Sequence, residues 1–334
     1  MNWKYPSCEG DPGPSPIAPS EILRLRHELM RAVRDYFYHN GYIEVETSNL
    51  MRTSAPDPNV DPLEVYVGDQ GPYYLHTSPE MGMKKLLPHS RGGIFQICKV
   101  YRVEELEEIH SVEFTMLEWY RKGTYLEAMD ETKKLVEFAA ERLQAAHNDR
   151  YEGPWKVYDL AELFVQRIDI NPFGLEKADL LAAMKEKGFM GIDESDNWND
   201  LFFKFFIQEV EPRIPKETPY FIRDWPLSVS TMARRRDAGR VERFELYIDG
   251  LEIANGYTEL LDREEQMQRF EIDNRERRGS GKRVFGTDEG FLETLSVLEH
   301  EGPYAGVSVG IDRLLMVLLG KERIADVMVQ RFSV

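Results

Sequence analysis

Residues 94–121 read IFQICKVYRVEELEEIHSVEFTMLEWYR, a pattern that predicts two strands joined by a charged loop. Arg102 would lie at the end of the first strand, and Phe114 at the start of the second. An arginine fork can grip a phosphate, and an aromatic ring can stack on a nucleobase. Taken alone, Arg102 and Glu104 also fit a surface ion pair, and Phe114 also fits a core position. His110 likewise fits an exposed loop without a role.

A second stretch, GVSVGIDR at residues 306–313, predicts a glycine-rich strand followed by a helix with Arg313 in its first turn. Two such arginines can hold a nucleoside triphosphate without a Walker loop, and the sequence has neither a Walker nor a Rossmann motif. The same stretch matches the G-x-S-x-G elbow of serine hydrolases, in which an acid and then a histidine follow the serine. No histidine follows His300, so that order cannot be completed around Ser308.

The composition is that of a globular enzyme. The chain has 334 residues, 42% of them apolar, enough for one large or two small domains. It shows no apolar run near the roughly 20 residues that span a bilayer and no signal-peptide pattern, so we expect a cytoplasmic protein. Cys8 and Cys98 are too few for a disulfide framework or a cysteine metal cluster. A net charge of −17 disfavours a large nucleic-acid footprint.

The distribution of prolines and apolar residues predicts a disordered, proline-rich lead-in at 1–19 and one α+β domain at 20–334. Ser20 would cap a helix that ends at Gly41, with a strand at 42–47. The remaining predicted elements are a helix at 126–147, an insertion of short helices at 150–215, a hairpin at 241–258 and helices near 262–278 and 288–300. Hairpin-linked strands with interspersed helices indicate an antiparallel β-sheet flanked by helices.

The hairpin suggests a metal site. Asp249-Gly250 is a strong two-residue turn signal, so Tyr247 should pair with Glu252. Glu245 would then project from the same face as Glu252, as its diagonal neighbour. Two adjacent carboxylates suit Mg²⁺, which binds one or two protein carboxylates together with substrate phosphates. The alternative is that one or both carboxylates are solvated on an outer face.

Taken together, the run from Arg102 to Tyr120 resembles motif 2 of the lysine-type class II aminoacyl-tRNA synthetases, and residues 306–313 resemble motif 3. The resemblance covers roughly residues 20–330 and implies a class II catalytic domain that binds ATP and Mg²⁺. The residues that it implies for ATP binding are Arg102, Glu104, His110, Ser111, Phe114, Glu245, Glu252, Ile253, Gly310 and Arg313. Among these it implies Glu245 and Glu252 as metal ligands, and Arg102, Glu104 and Arg313 as catalytic groups.

The resemblance to lysyl-tRNA synthetase also implies a lysine pocket, because a pocket with several carboxylates selects a cationic side chain. Its members would be Ser78, Glu80, Glu118, Tyr120, Asn255, Tyr257, Glu259 and Ser308. Six positions depart from the family pattern. Ser48 replaces a proline, Val103 an asparagine and Val112 a proline. Tyr257 replaces a phenylalanine, and Ser111 replaces an asparagine that hydrogen-bonds ATP. Ser308 replaces a glycine, and its larger side chain favours a reshaped substrate such as β-lysine.

The features that bind tRNA in the synthetases are missing or unfavourable here. No room exists before Ser20 for the N-terminal OB-fold domain that reads the anticodon, so we expect no anticodon recognition. The motif 2 loop carries four glutamates, which disfavour a phosphate backbone: Glu104, Glu105, Glu107 and Glu108. The chain therefore resembles the elongation factor P–lysine ligase family, truncated paralogues that adenylate (R)-β-lysine and transfer it to a lysine of elongation factor P. That family resemblance implies a homodimer through the first helix.

Two other functions remain open. One is a lysine-adenylating paralogue that serves a tRNA or a carrier protein. The other is a catalytically silent regulator that binds an amino acid. The regulator is disfavoured because the implied arginines and metal carboxylates are all present.

Overall fold

The computed structural model describes residues 17–103, 108–145 and 148–330. Within these ranges the helices are α1 (Pro19–His39), α2 (Glu80–Leu86), α3 (Tyr125–Leu143), α4 (Leu160–Ile168), α5 (Lys177–Glu186), α6 (Trp198–Phe205), α7 (Arg263–Gly279), α8 (Glu289–Glu299) and α9 (Ile311–Leu318). The strands are β1 (Ile43–Glu44), β2 (Leu50–Met51), β3 (Glu64–Val67), β4 (Gln70–Leu75), β5 (Ile94–Tyr101), β6 (Glu113–Lys122), β7 (Lys156–Asp159), β8 (Tyr220–Arg223), β9 (Arg243–Ile248), β10 (Leu251–Thr258) and β11 (Tyr304–Gly310).

The first helix differs from its prediction only at its start. It begins at Pro19, which the sequence had assigned to the lead-in, and Ala18 rather than Ser20 is the N-cap residue. Proline fits the first helical position because its φ is already helical and its missing N–H would have no partner there. The apolar face was predicted correctly, since Ile22, Leu25, Leu29, Val33 and Phe37 are buried. Gly41 follows the helix in the left-handed conformation, with φ of 77°, as expected for a glycine just after a helix end. Residues 1–16 of the lead-in lie outside the described residues.

An eight-stranded, mostly antiparallel sheet organises the domain, in the order β1-β5-β6-β11-β10-β9-β8-β7. The parallel pairs are at its two edges, β1 with β5 and β7 with β8. A small sheet of β2, β4 and β3 lies beside it. The strand predicted at 42–47 is shorter than expected, because only Ile43 and Glu44 pair with β5. The fold is α+β, as the sequence predicted.

Alternation along β6 separates the two faces of the sheet. Leu117 and Trp119 are fully buried in the main apolar core, together with residues of α1, α3 and α9. Glu118 and Tyr120 point to the opposite face, where α2, α7 and α8 cover part of the sheet through apolar contacts. One face of the central strands is therefore core, and the other provides the floor of a cavity.

The segment at 150–215 contributes both to the sheet and to its own apolar cluster. It supplies the edge strand β7 and helices α4 to α6, which pack around Leu163, Phe202 and Phe206. Its description as an insertion stays a prediction. The helix predicted at 126–147 ends at Leu143, since Gln144 is left-handed with φ of 51°, and residues 146–147 are not described. No helix within the described ranges is both long and apolar enough to cross a bilayer.

The hairpin of β9 and β10 has the predicted turn and an irregular ladder. Asp249 and Gly250 have φ of 57° and 75°, and Tyr247 pairs with Glu252 as expected. The register then shifts between Glu252 and Ala254, so Glu245 lies opposite Asn255. A regular ladder would have placed Ala254 opposite Glu245, whereas the β-bulge adds one residue to β10 and places Asn255 there. The predicted spacing between Glu252 and the partner of Glu245 was therefore one residue too short.

Candidate active site

In-register residues of four strands form the floor of the site. Glu118 of β6 lies opposite Ser308 of β11, Ser308 opposite Asn255 of β10, and Asn255 opposite Glu245 of β9. Neighbouring strands lie about 4.8 Å apart, so this row crosses the sheet in three steps. The pairing brings together residues from three predicted motifs: motif 2, motif 3 and the hairpin at 241–258.

A first cavity, of about 220 Å³, covers one end of this row. All eight residues of the implied lysine pocket line it: Ser78, Glu80, Glu118, Tyr120, Asn255, Tyr257, Glu259 and Ser308. Gly306 lies between them and makes the close packing possible. A Cβ on Gly306 would lie 2.4 Å from both Glu259 Oε1 and Tyr120 Cε1.

Glu118 is the carboxylate at the centre of this cavity. Its Oε1 accepts a hydrogen bond of 2.6 Å from the Tyr120 hydroxyl, and its Oε2 accepts one of 2.7 Å from Ser78. Burial and the nearby Glu80 carboxylate raise the pKa of Glu118 to about 7. The Asn255 Oδ1 atom is buried without a hydrogen-bond partner among the described residues. An incoming ammonium group would satisfy both residues.

A second cavity, of about 300 Å³, adjoins the first. Eight of the ten implied ATP residues line it: Arg102, His110, Ser111, Phe114, Glu252, Ile253, Gly310 and Arg313. Glu104 lies outside the described residues, and Glu245 lies outside this lining. The two cavities share Arg102, Met116, Asn255 and Ser308, which therefore mark their boundary.

The cationic and aromatic side chains of the second cavity contact one another. The Arg102 guanidinium lies 5.2 Å from the centre of the Phe114 ring, and its Nε donates to the Thr77 carbonyl. Arg313 Nη2 lies 2.7 Å from His110 Nε2. The Ser111 hydroxyl is buried without a hydrogen-bond partner in the described part of the chain. A polar ligand in this cavity would therefore meet two guanidinium groups and an unsatisfied hydroxyl.

Asp312 ties the elements of the second cavity together. It is 1% exposed, and its carboxylate accepts hydrogen bonds from the Thr115 backbone N–H at 2.7 Å and from Arg26 Nη1 at 2.6 Å. Arg26 of α1 also donates to the Thr115 hydroxyl. These bonds fix the start of β6, which carries Phe114, against the start of α9, which carries Arg313. The sequence reasoning missed both Asp312 and Arg26.

The proposed metal carboxylates fit Mg²⁺ in donor type. Glu245 Oε1 accepts a hydrogen bond of 2.5 Å from Arg243 Nη2, and its Oε2 accepts one of 2.7 Å from the Tyr247 hydroxyl. Burial and the like charge of Glu252 raise the pKa of Glu245 to about 7, so a cation between the two would relieve repulsion. No group of three or more His, Cys, Asp or Glu side chains in the described ranges is placed to hold a metal. Substrate oxygens would therefore have to complete the coordination.

Sequence reasoning overlooked Lys84, which contacts two glutamates that line the first cavity. Its side chain is fully buried, and its ammonium contacts the carboxylates of Glu80 and Glu259. The local signal was the spacing of Glu80 and Lys84, four residues apart at the start of a helix.

Known proteins resemble the chain over nearly its whole length. A family model described as tRNA synthetases class II (D, K and N) matches residues 18–330. A protein named elongation factor P–(R)-β-lysine ligase from Edwardsiella ictaluri (strain 93-146) is 34% identical over 322 residues, covering 93% of this chain and 95% of that protein. Proteins of the same name from Salmonella typhi and Salmonella arizonae are each 36% identical over 321 residues, with the same coverage. The chain therefore belongs to the class II tRNA synthetase family of the D, K and N type.

Proposed function

We propose that the protein is an ATP-dependent, AMP-forming ligase that adenylates (R)-β-lysine, or lysine, and transfers it to a lysine side chain of elongation factor P. The observation that supports this best is the meeting of an acidic cavity and an arginine-lined cavity at four shared residues. The names of the relatives support the acceptor and the β-amino acid. We place the reaction in the cytoplasm, since the acceptor would be a translation factor.

In the first half-reaction, a carboxylate oxygen of the amino acid attacks the α-phosphorus of ATP, and the bond to the departing pyrophosphate breaks. Arg102 lies at the cavity boundary, where the new bond would form, and its guanidinium would stabilise the developing charge. Arg313, beside His110, would orient the outer phosphates. Mg²⁺ held by Glu245 and Glu252 would supply Lewis-acid neutralisation of phosphate charge.

In the second half-reaction, the lysine amine of the acceptor attacks the carbonyl carbon of the adenylate. AMP leaves with the electrons of the broken C–O bond, and the amine proton passes to water. No protein nucleophile is needed, because the mixed anhydride is already activated. The residues of the first cavity would hold the substrate ammonium groups during both steps, chiefly Glu118 and Asn255.

The first test is ATP–pyrophosphate exchange with α-lysine, both β-lysine enantiomers and the other amino acids. Exchange with a lysine isomer supports the adenylating enzyme, and the preferred isomer separates β-lysine from α-lysine. Exchange with none of them would leave the silent regulator as the better description. Transfer is then followed by mass spectrometry of elongation factor P, with tRNA as the competing acceptor. Aminoacylated tRNA and unmodified elongation factor P would contradict the proposed acceptor.

Arg102→Ala should lower the exchange rate by about 100-fold or more, because it removes the guanidinium placed at the boundary of the two cavities. Arg91→Ala is the matched control, since Arg91 is an exposed arginine that lines neither cavity. Exchange by Arg102→Ala at the rate of the control would show that Arg102 does not stabilise the reacting phosphate.

A further inference from the structure

Lys84 is an unusual group to find paired with the carboxylates of a pocket for a cationic substrate. It projects from α2 with a side chain that is 0% exposed. Its Nζ atom lies 2.5 Å from Glu80 Oε1 and forms an ion pair with Glu259, whose side chain is 1% exposed. Aromatic rings of Tyr257 and Phe291 lie 5.7 and 5.8 Å from the ammonium, close enough to add cation–π attraction. The lysine is therefore held in place from several sides.

The electrostatics keep this ammonium charged. Burial opposes the charge of Lys84, but the carboxylates of Glu259 and Glu80 outweigh burial and raise the pKa of Lys84. Burial raises the pKa of Glu259, whereas Lys84 opposes that rise. Breaking a buried ion pair from one side leaves an uncompensated charge, which is far less favourable than the intact pair.

Lys84 engages two of the three glutamates that line the cavity and leaves the third for other donors. Glu118 accepts its hydrogen bonds from Ser78 and Tyr120. Glu80, in contrast, accepts from both Lys84 and the Tyr257 hydroxyl, at 2.5 and 2.6 Å. When all three glutamates are ionised, they and the one ammonium carry two net negative charges instead of three. Arg243, a cation of the cavity lining, is already paired with Glu245.

We propose that Lys84 is a positioning residue that sets the charge of the amino-acid pocket, fixing Glu80 and Glu259 so that the pocket accepts a substrate with two ammonium groups. A diamino acid matches the two net negative charges of the cluster, whereas a monoamino acid leaves one of them uncompensated. The inference rests on the proposed function, because it names how the same cavity selects its substrate. Lys84 acts through the carboxylates rather than by touching the reacting atoms.

The test is a double-mutant cycle of Lys84 and Glu259, measured by ATP–pyrophosphate exchange with lysine and β-lysine. Lys84→Met leaves three glutamates without an ammonium, and Glu259→Gln leaves two glutamates with the ammonium, which is one net negative charge. Each single variant should raise KM for the amino acid by about tenfold, with kcat changed by less than about threefold. The double variant restores two net negative charges with side chains of similar size. Its KM should therefore lie well below that of either single variant, a coupling that independent sites do not show.

Lys85→Met is the matched control on the same helix. Lys85 pairs with Asp288 and is 37% exposed, so its loss should leave KM near the wild-type value. An equal rise in KM for Lys85→Met would overturn the proposal, because the effect would then belong to α2 in general. A double variant no better than Glu259→Gln would also overturn it, including in the case where Lys84→Met alone does not fold.

The outcome can be separated from a failure of the proposed function. Wild-type protein that exchanges with no diamino acid contradicts the function, and the charge cluster is then tested by melting temperature alone. There the double variant should melt at a higher temperature than either single variant, because neither Lys84 nor Glu259 is left without the other. A double variant that melts below both single variants would overturn the role of Lys84.

Discussion

Glu118 combines burial with hydrogen bonds that favour its charged form. Burial is the larger effect, and together with the Glu80 carboxylate it raises the pKa of Glu118 to about 7. Because this pKa is raised above that of an unfolded chain, the group favours the folded state most at low pH and loses that contribution as pH rises toward 7. Burial favours the protonated form of Glu118, whereas an ammonium ligand favours the ionised carboxylate that it binds.

We therefore expect KM for the amino acid to fall as pH rises from 6 to 8, by about tenfold if one group near pH 7 must ionise. The measurement is pyrophosphate exchange at saturating ATP, so that ionisation of the proposed metal ligand Glu245 does not limit the rate. Glu118→Gln should raise KM and remove most of its pH dependence. A wild-type KM that is constant over this interval would mean that Glu118 is already ionised at pH 6.

Within β11, Gly306 is the position where a side chain has no room. The added Cβ of Gly306→Ala would lie 2.4 Å from Glu259 Oε1 and from the Tyr120 ring. Overpacking of this kind destabilises a fold by about 1–3 kcal/mol, and here the displaced side chains would be those of the amino-acid cavity. We expect KM for lysine to rise by about tenfold while KM for ATP stays within about twofold, because the nucleotide cavity lies at the other end of the strand.

Gly279→Ala is the matched control for this substitution, because a Cβ at Gly279 meets no atom within 4 Å and the residue has no positive φ. Equal KM values for lysine in Gly306→Ala and Gly279→Ala would show that the cavity can rearrange around the methyl group. A rise in KM for ATP of the same size would instead indicate a general distortion of the sheet.

Elements with local signals could be predicted from the sequence. The Asp249-Gly250 turn needs two residues with positive φ, which these residue types tolerate, and it fixed the pairing of Tyr247 with Glu252. The β5 and β6 strands, α7 and α8 also follow patterns contained within one stretch of chain. Their alternation or helical spacing is enough to define them.

Features that depend on two distant stretches could not be predicted in this way. The bulge at Ile253 depends on how β10 meets both of its neighbours, and no local pattern marks it. The same holds for Lys84, whose partner Glu259 lies far along the chain. The edge strand β7 and its neighbour β8 are four residues each, and helices α4 to α6 separate them along the chain, so no hairpin signal joins them. For the candidate site, the family resemblance named eight lining residues of each cavity, whereas the charge balance between them required the fold.

At the scale of the whole molecule, α1 has one face in the core and apolar residues on the other. Leu23 and Tyr38 of this helix are 57% and 52% exposed, and Ile43 of β1 is 53% exposed. Single exposed apolar residues are ordinary, but several on adjoining elements indicate a surface that another protein covers. The family resemblance implies a homodimer through this helix, so we propose that the second copy of the chain covers these residues.

Replacing Leu23 and Ile43 together by glutamate should convert the dimer into a monomer, because four like charges would then face one another across the two-fold axis. Analytical ultracentrifugation at micromolar concentration measures the change, and circular dichroism should show an unchanged helical signal, since the buried face of α1 is untouched. Met190→Glu is the control, because Met190 is 82% exposed and lies in the segment at 150–215. A wild-type protein that sediments as a monomer would contradict the proposal. A dimer that survives both glutamates would place the interface on a different surface.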